Sequence, residues 1–236
     1  MRREMAIRGT HDGVMKVLTG AVAPAGAPRV LDIGAGAGAL SEKLLAAGYS
    51  VGACDFVPEQ FDVPGVACEK CDETGRLPFA DGAFDAAVAV EVLEHVDGHE
   101  RFFAEAARVL KPGGRLLFTT PNILSLKSRM RFLLTGFFYS FGPLAPGRRD
   151  PVRQHISPFT LNRYEWLLSL HGLRIVRVAT DKRQPTSLGL AFLAPLIWLS
   201  VRLGFGRNES ARKQNAPAAL FGRKLVVVAE KTGAGA

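Results

Sequence analysis

Val30-Leu31-Asp32-Ile33-Gly34-Ala35-Gly36-Ala37-Gly38 is a short β-branched and apolar run that ends in a cluster of glycines. Such a run predicts a strand over 30–33 stopped by a tight turn, and the residues at 40–47 predict a helix directly after it. Glycines at this turn let the backbone come close to a ligand and adopt conformations barred to larger side chains. The helix that follows presents its N-terminal amides to the same space. Gly34, Gly36 and Ala39 also satisfy the dinucleotide pattern G-x-G-x-x-G/A, so the turn alone leaves a nicotinamide-type ligand, another nucleoside or a bare turn open.

Outward from this stretch, Ser50–Asp55 reads as a second strand, 66–69 as a weaker third and 84–90 as a fourth. The fourth is apolar nearly throughout, which suits the centre of a parallel sheet covered on both faces. A helix over 97–110 stops at Lys111-Pro112-Gly113-Gly114, a fifth strand follows at 115–119, and a helix at 160–170 is closed by Gly172. Leu173–Thr180 and 224–230 are the sixth and seventh strands. Strands and helices alternate as in a doubly wound α/β fold. With 236 residues, 47% hydrophobic composition and no internal repeat, 1–236 is expected to form one domain around one core. The stretches 121–158 and 181–222 are expected to be irregular insertions.

Lys and Arg number 30 against 22 Asp and Glu, a formal charge of +8. The excess points to nucleic acid, anionic lipid or a phosphorylated substrate, or to a merely basic surface. Cys54, Cys68 and Cys71 are too few for a disulfide framework, which fits a reducing compartment; the lone C-x-x-C of Cys68 and Cys71 lacks a second pair and a neighbouring His for zinc. The first twenty or so residues carry scattered charges and no apolar run of a secretory signal, so the protein is expected in the cytoplasm.

Asp55 closes the second strand, where a carboxylate can accept bonds from both hydroxyls of a ribose. Asp72 follows the third strand, where it can meet an adenine amino group. Then come Leu77-Pro78-Phe79, Phe84-Asp85, Glu91-Val92-Leu93-Glu94-His95-Val96 and Leu110-Lys111-Pro112-Gly113-Gly114. With these motifs the sequence resembles the class I S-adenosylmethionine-dependent methyltransferases, in particular the small-molecule branch of the ubiquinone-pathway O-methyltransferases. The resemblance covers about 30–122 and resumes loosely at 155–180. It implies S-adenosyl-L-methionine as cofactor, with Asp32, Gly34, Ala35, Gly36 and Gly38 along its methionine part, Asp55 on the ribose, and Phe56 and Asp72 at the adenine. Many relatives have Cys in place of Gly36. It also implies a seven-stranded Rossmann-like sheet of order 3-2-1-4-5-7-6 with the last strand antiparallel; in such a sheet 121–158 and 181–222 leave from the carboxyl ends of the strands, so these apolar insertions are expected to cover the substrate cleft.

Glu91, Glu94 and His95 spell E-x-x-E-H, and His155 follows in the loop before a helix. Two carboxylates and two imidazoles can hold Mg, Mn, Fe, Co or Zn. The set resembles that of metal-dependent O-methyltransferases, including small-RNA 2′-hydroxyl methyltransferases, but those RNA enzymes have a second His where this chain has Gln154 and Ile156 beside His155. The metal-free alternative has Glu91 touching the donor, His95 capping or packing, and His155 as general base or substrate-orienting group.

Residues 124–141 mix aromatic and basic side chains, and 188–201 has no charge, is broken by Pro195 and is followed by Arg202, Arg207, Arg212 and Lys213. A membrane span needs about 20 apolar residues, so this run suits an interfacial segment or a hydrophobic lid. Arg148, Arg149 and Arg153 could meet a phosphate or sugar headgroup. The expected activity is O-methylation of a small-molecule or lipid-linked hydroxyl, with peripheral contact to the inner membrane. The apolar insertions disfavour nucleic acid as substrate and hence RNA 2′-hydroxyl transfer; a non-catalytic donor-binding regulatory subunit is the reading from another class.

Overall fold

In the computed structural model, which describes residues 6, 7, 9–71, 75–148, 150 and 154–233, helix α1 (Thr10–Ala21) leads into strand β1 (Arg29–Ile33). The chain continues through α2 (Ala39–Ala46), β2 (Ser50–Asp55), β3 (Cys68–Lys70), β4 (Phe84–Ala89), α3 (His99–Val109) and β5 (Leu110–Pro121). Next come α4 (Leu126–Thr135), α5 (Leu161–Ser169) and β6 (Leu173–Thr180), then α6 (Pro185–Gly189), α7 (Ala194–Phe205), α8 (Glu209–Gln214) and α9 (Pro217–Phe221), and last β7 (Lys224–Lys231). The sheet order is β3-β2-β1-β4-β5-β7-β6, with β7 antiparallel to both neighbours, as the sequence reading expects.

Side chains on a strand alternate between the faces of a sheet, and here each face is apolar enough to need a cover. Val30, Val88, Leu117, Val226 and Val228 point to one face, where Val14, Val17 and Leu18 of α1 and Leu40 and Leu44 of α2 pack on them. Leu31, Ile33, Phe118, Leu225 and Val227 point to the other, beneath Phe103 of α3 and Tyr164 and Leu168 of α5. Each such fully buried side chain contributes about 1.5–3 kcal/mol.

Several elements differ from the expectation. Helix α1 was not anticipated, because Gly13 and Gly20 dilute its helix propensity; its Val14, Val17 and Leu18 nevertheless fall on one face at helical spacing. The turn at 111–114 is not a loop before β5 but a bulge within it, with Phe84 opposite Leu110 and Ala86 already opposite Arg115. Asp85 pins that bulge, accepting from the Lys111 ammonium at 2.6 Å and the Arg29 amide at 2.8 Å. The two insertions are not irregular: one contains α4 and the other α6 to α9. Ser125 caps α4 by accepting from the Ser128 amide, and Gly136 ends it with φ 73°. Leu126, Ala194 and Leu220 form a small cluster that joins the two insertions.

The second insertion is closed at its base by Asp181, whose side chain is wholly inaccessible. Its carboxylate accepts from the Arg223 guanidinium through Nε at 2.8 Å and through a terminal nitrogen, and from the Lys182 amide at 2.7 Å. Arg223 also donates to Thr10 Oγ1 at 3.2 Å, which ties α1 to the same clip. Breaking one side of a buried ion pair strands the other charge. Asp181→Ala is therefore expected to lower the unfolding free energy by about 3 kcal/mol, measured by urea titration with circular dichroism; a loss below about 1 kcal/mol would show that the clip does not hold the insertion.

Candidate active site

Strands β1 and β4 are neighbours in the sheet, and the crossovers that leave them run to opposite sides. A crevice opens at such a switch point beyond the carboxyl ends of the strands. Its floor is the glycine turn. Gly34 has φ 73°, and a Cβ there would lie 2.5 Å from Cγ2 of Val92, the residue that follows β4 by three positions. Gly38 begins α2 at φ 88°, and a Cβ would come within 2.3 Å of Val63. No other residue fits either position.

Within the turn, the Gly34 and Ala35 amides donate to the Cys54 carbonyl at 2.8 and 3.1 Å. The Asp55 carboxylate accepts from the Gly36 amide at 2.8 Å and the Val57 amide at 2.9 Å, so it braces the turn. Asp32 is buried beneath, accepting from the Ser41 hydroxyl at 2.7 Å. Burial pushes its carboxyl up to about 7, against the Ser41 bond, which favours the charged form. Phe56 stands at the rim, exposed. Asp72 lies outside the described residues.

Beyond β4, Glu91 takes a left-handed conformation, φ 57°, at a cost of about 1–3 kcal/mol. Its amide donates to Thr119 Oγ1 at 2.8 Å, and its carboxylate is paired with the Lys224 ammonium. Burial pushes that ammonium down to about 8. The pairing of Pro121 with Lys224 in the antiparallel register delivers this lysine to the cleft edge.

A single 3-10 turn, Leu93–His95, follows and carries the remaining site residues. Glu94, His95 and His155 are brought together, with potential ligand atoms all within 4.8 Å of one another. The rings of His95 and His155 meet edge to face at 4.9 Å. His95 Nδ1 bonds the Gln154 carbonyl and His155 Nδ1 the Ser140 carbonyl, each at 2.9 Å. A carbonyl only accepts, so each Nδ1 carries the proton and each Nε2 keeps its lone pair. Burial lowers both imidazoles, and the neighbouring ring lowers His155 further. Glu94 is 1% exposed, one of its oxygens has no partner, and burial pushes its carboxyl up to about 7. Glu91, expected in a four-residue metal set, is not in this group, because the turn at φ 57° directs its carboxylate to Lys224.

Residues 31–118 match the family model described as a methyltransferase domain. That stretch, from β1 to β5, is similar to a methyltransferase domain. It is 34% identical over 153 residues to an uncharacterized methyltransferase of Mycobacterium tuberculosis, covering 61% of this chain and 59% of that one. It is 32% identical over 157 residues to a ubiquinone biosynthesis O-methyltransferase of Coxiella burnetii, covering 63% and 64%. The chain thus spans less than two thirds of the length of either relative. The fold is that of S-adenosylmethionine-dependent methyltransferases, as in the enzyme from Mesorhizobium loti, with TM-score 0.56, 19% identity, and coverage of 92% of this chain and 97% of that one.

The crevice thus has Asp32, the glycine turn and Asp55 on one side and Glu94, His95 and His155 on the other. Lys224 escaped the sequence reading, and its only signal was a lysine leading into an otherwise apolar strand. Because the folded Asp32 carboxyl titrates well above the ordinary Asp value near 3.9, the folded protein holds a proton there that the unfolded chain has lost; stability falls as pH rises through that window and levels off above about 7. Ser41→Ala removes the donor that holds the charged form. It is expected to cost about 1.5–3 kcal/mol at pH 8 and less at pH 5, by urea unfolding at the two values; equal costs would mean that Asp32 does not titrate between them.

Proposed function

We propose that the protein is an S-adenosylmethionine-dependent O-methyltransferase whose acceptor is a small or lipid-linked hydroxyl. The observation that carries this reading is the pair of imidazoles with free Nε2 atoms, across the crevice from a glycine turn where no Cβ fits. The donor would be held by Asp32, Gly34, Ala35, Gly36 and Gly38 along its methionine part and by Asp55 at the ribose, whose hydroxyls would exchange with the Gly36 amide now on that carboxylate. When bound it supplies a methyl group on a sulfonium centre. The chain's own tasks are alignment and removal of the acceptor proton.

His155 Nε2 takes that proton in this reading, with His95 beside it. Their lowered basicity keeps both neutral at pH 7, the form a base needs. In the alternative to His155 as base, Glu94, His95 and His155 hold a divalent cation: two imidazole nitrogens with lone pairs, each oriented by a backbone carbonyl, and a buried carboxylate oxygen without a partner. Such a cation would lower the pKa of a coordinated hydroxyl. Peripheral contact with the cytoplasmic face of the inner membrane belongs to the same proposal, supported by exposed apolar side chains on both insertions, Leu133 and Leu134 on α4 and Leu199 and Leu203 on α7. No helix among the described residues is long and apolar enough to cross a membrane.

Calorimetry with the demethylated donor product is expected to detect binding that Asp55→Ala weakens at least tenfold; a wild-type protein with no affinity for it would end the assignment. With labelled donor and membrane extract, label is expected in the lipid or small-molecule fraction, and His155→Ala is expected to cut transfer by about 10²–10⁴ without loss of donor affinity. Label in RNA instead would reverse the choice of acceptor, and no transfer to any fraction would favour a regulatory subunit. Manganese affinity is expected to rise with pH through about 7, as Glu94 gives up its proton, and to vanish in Glu94→Gln; binding unchanged by that variant would place the ion elsewhere.

A further inference from the structure

A cavity of about 860 Å3 lies within the second insertion, between the C-terminal half of α7, the turn after it, and α8. None of the crevice residues lines it. Its apolar part is Trp198, Val201 and Pro217, and its cations are Arg202, Arg207, Arg212 and Lys213 against the single acid Glu209. Lys213 is accounted for, bridging Glu165 and Glu209 at 2.9 Å each. The three arginines are exposed and have no carboxylate partner among the described residues.

Three unpaired guanidinium groups around one hollow repel each other unless an anion joins them, and the planar guanidinium matches a phosphate oxygen pair. The wall of the cavity is fixed in place. Trp198 Nε1 donates to the Asn215 carbonyl at 2.8 Å, and Asn215 Oδ1 accepts from Arg129 of α4 at 2.8 Å. The remaining surface of α7 identifies what else the ligand carries. Leu196, Leu199, Leu203 and Phe205 are all more than half exposed, on the helix that supplies Trp198 and Arg202. A soluble phosphoester has no use for this apolar face, whereas a lipid in a bilayer covers it.

We infer that this cavity binds the phosphodiester headgroup of an anionic membrane phospholipid, seated among Arg202, Arg207 and Arg212, while α7 lies in the interface with its exposed leucines among the acyl chains. The inference rests on the membrane contact proposed above and not on methyl transfer.

The chain has two tryptophans, so Trp166→Phe leaves Trp198 as the sole reporter in the full-length protein. Vesicles of phosphatidylcholine with phosphatidylglycerol are expected to shift its emission to the blue and to sediment the protein, and pure phosphatidylcholine vesicles to do neither. The triple variant Arg202→Gln, Arg207→Gln, Arg212→Gln is expected to bind the anionic vesicles on the order of a hundredfold more weakly. Leu199→Asp with Leu203→Asp is expected to abolish sedimentation. Equal binding to both vesicle types, or a triple variant that binds like wild type, would overturn the headgroup site. Inorganic phosphate is the second probe: saturable binding that the leucine changes leave intact, in a protein that ignores vesicles, would assign the cavity to a free phosphoester and overturn the lipid. Affinity for the demethylated donor product, measured on the same samples, is expected to be unchanged in all variants, so failure here is distinguishable from failure of the methyltransferase reading.

Discussion

The contact between Val92 and the bare α-carbon of Gly34 is the constraint on which the crevice depends. It joins two strand ends that the chain reaches by separate crossovers, and it leaves no room for even one extra carbon. One residue before Val92 the backbone takes a left-handed turn at Glu91, and the Thr119 hydroxyl accepts from the amide there. The 3-10 turn that follows then starts in a fixed direction. That direction carries Glu94 inward and His95 toward the loop that brings His155.

Electrostatics in the crevice follow from the same close packing. Asp32 and Glu94 are carboxyl groups with little water, and both are pushed toward neutrality near pH 7. The two imidazoles are pushed the other way and stay uncharged. Burial thus favours the uncharged form of all four groups, the carboxyls by raising their values and the imidazoles by lowering theirs. Lys224 adds a positive charge at the sheet edge, held by Glu91.

Much of this was legible in the sequence, for identifiable reasons. Strand β1 and its turn could be read because β-branched residues followed by glycines have few other uses, and His155 could be set beside His95 only through the resemblance to enzymes that use E-x-x-E-H with a later His. The helices of the insertions were harder. Phe132, Leu133 and Leu134 are consecutive and make no helical stripe, although the Ser125 cap and the terminal Gly136 marked both ends of α4. Helix α7 is apolar on most of its surface, so periodicity says nothing about it, and only Pro195 in its first turn hinted at a helix start. The Lys224 pairing was beyond reach, because it depends on an antiparallel register that local sequence does not encode.

The Asp181 clip secures the second insertion where it leaves and rejoins the sheet. Both of its ends are fastened at one point, with Arg183 bridged to Gly222 just above, so the forty or so residues between are a loop already closed by the scaffold. Lengthening or shortening a closed loop changes its entropy only slowly with size. Residues between the two fastenings can therefore change in number at little entropic cost while the sheet beneath keeps its register.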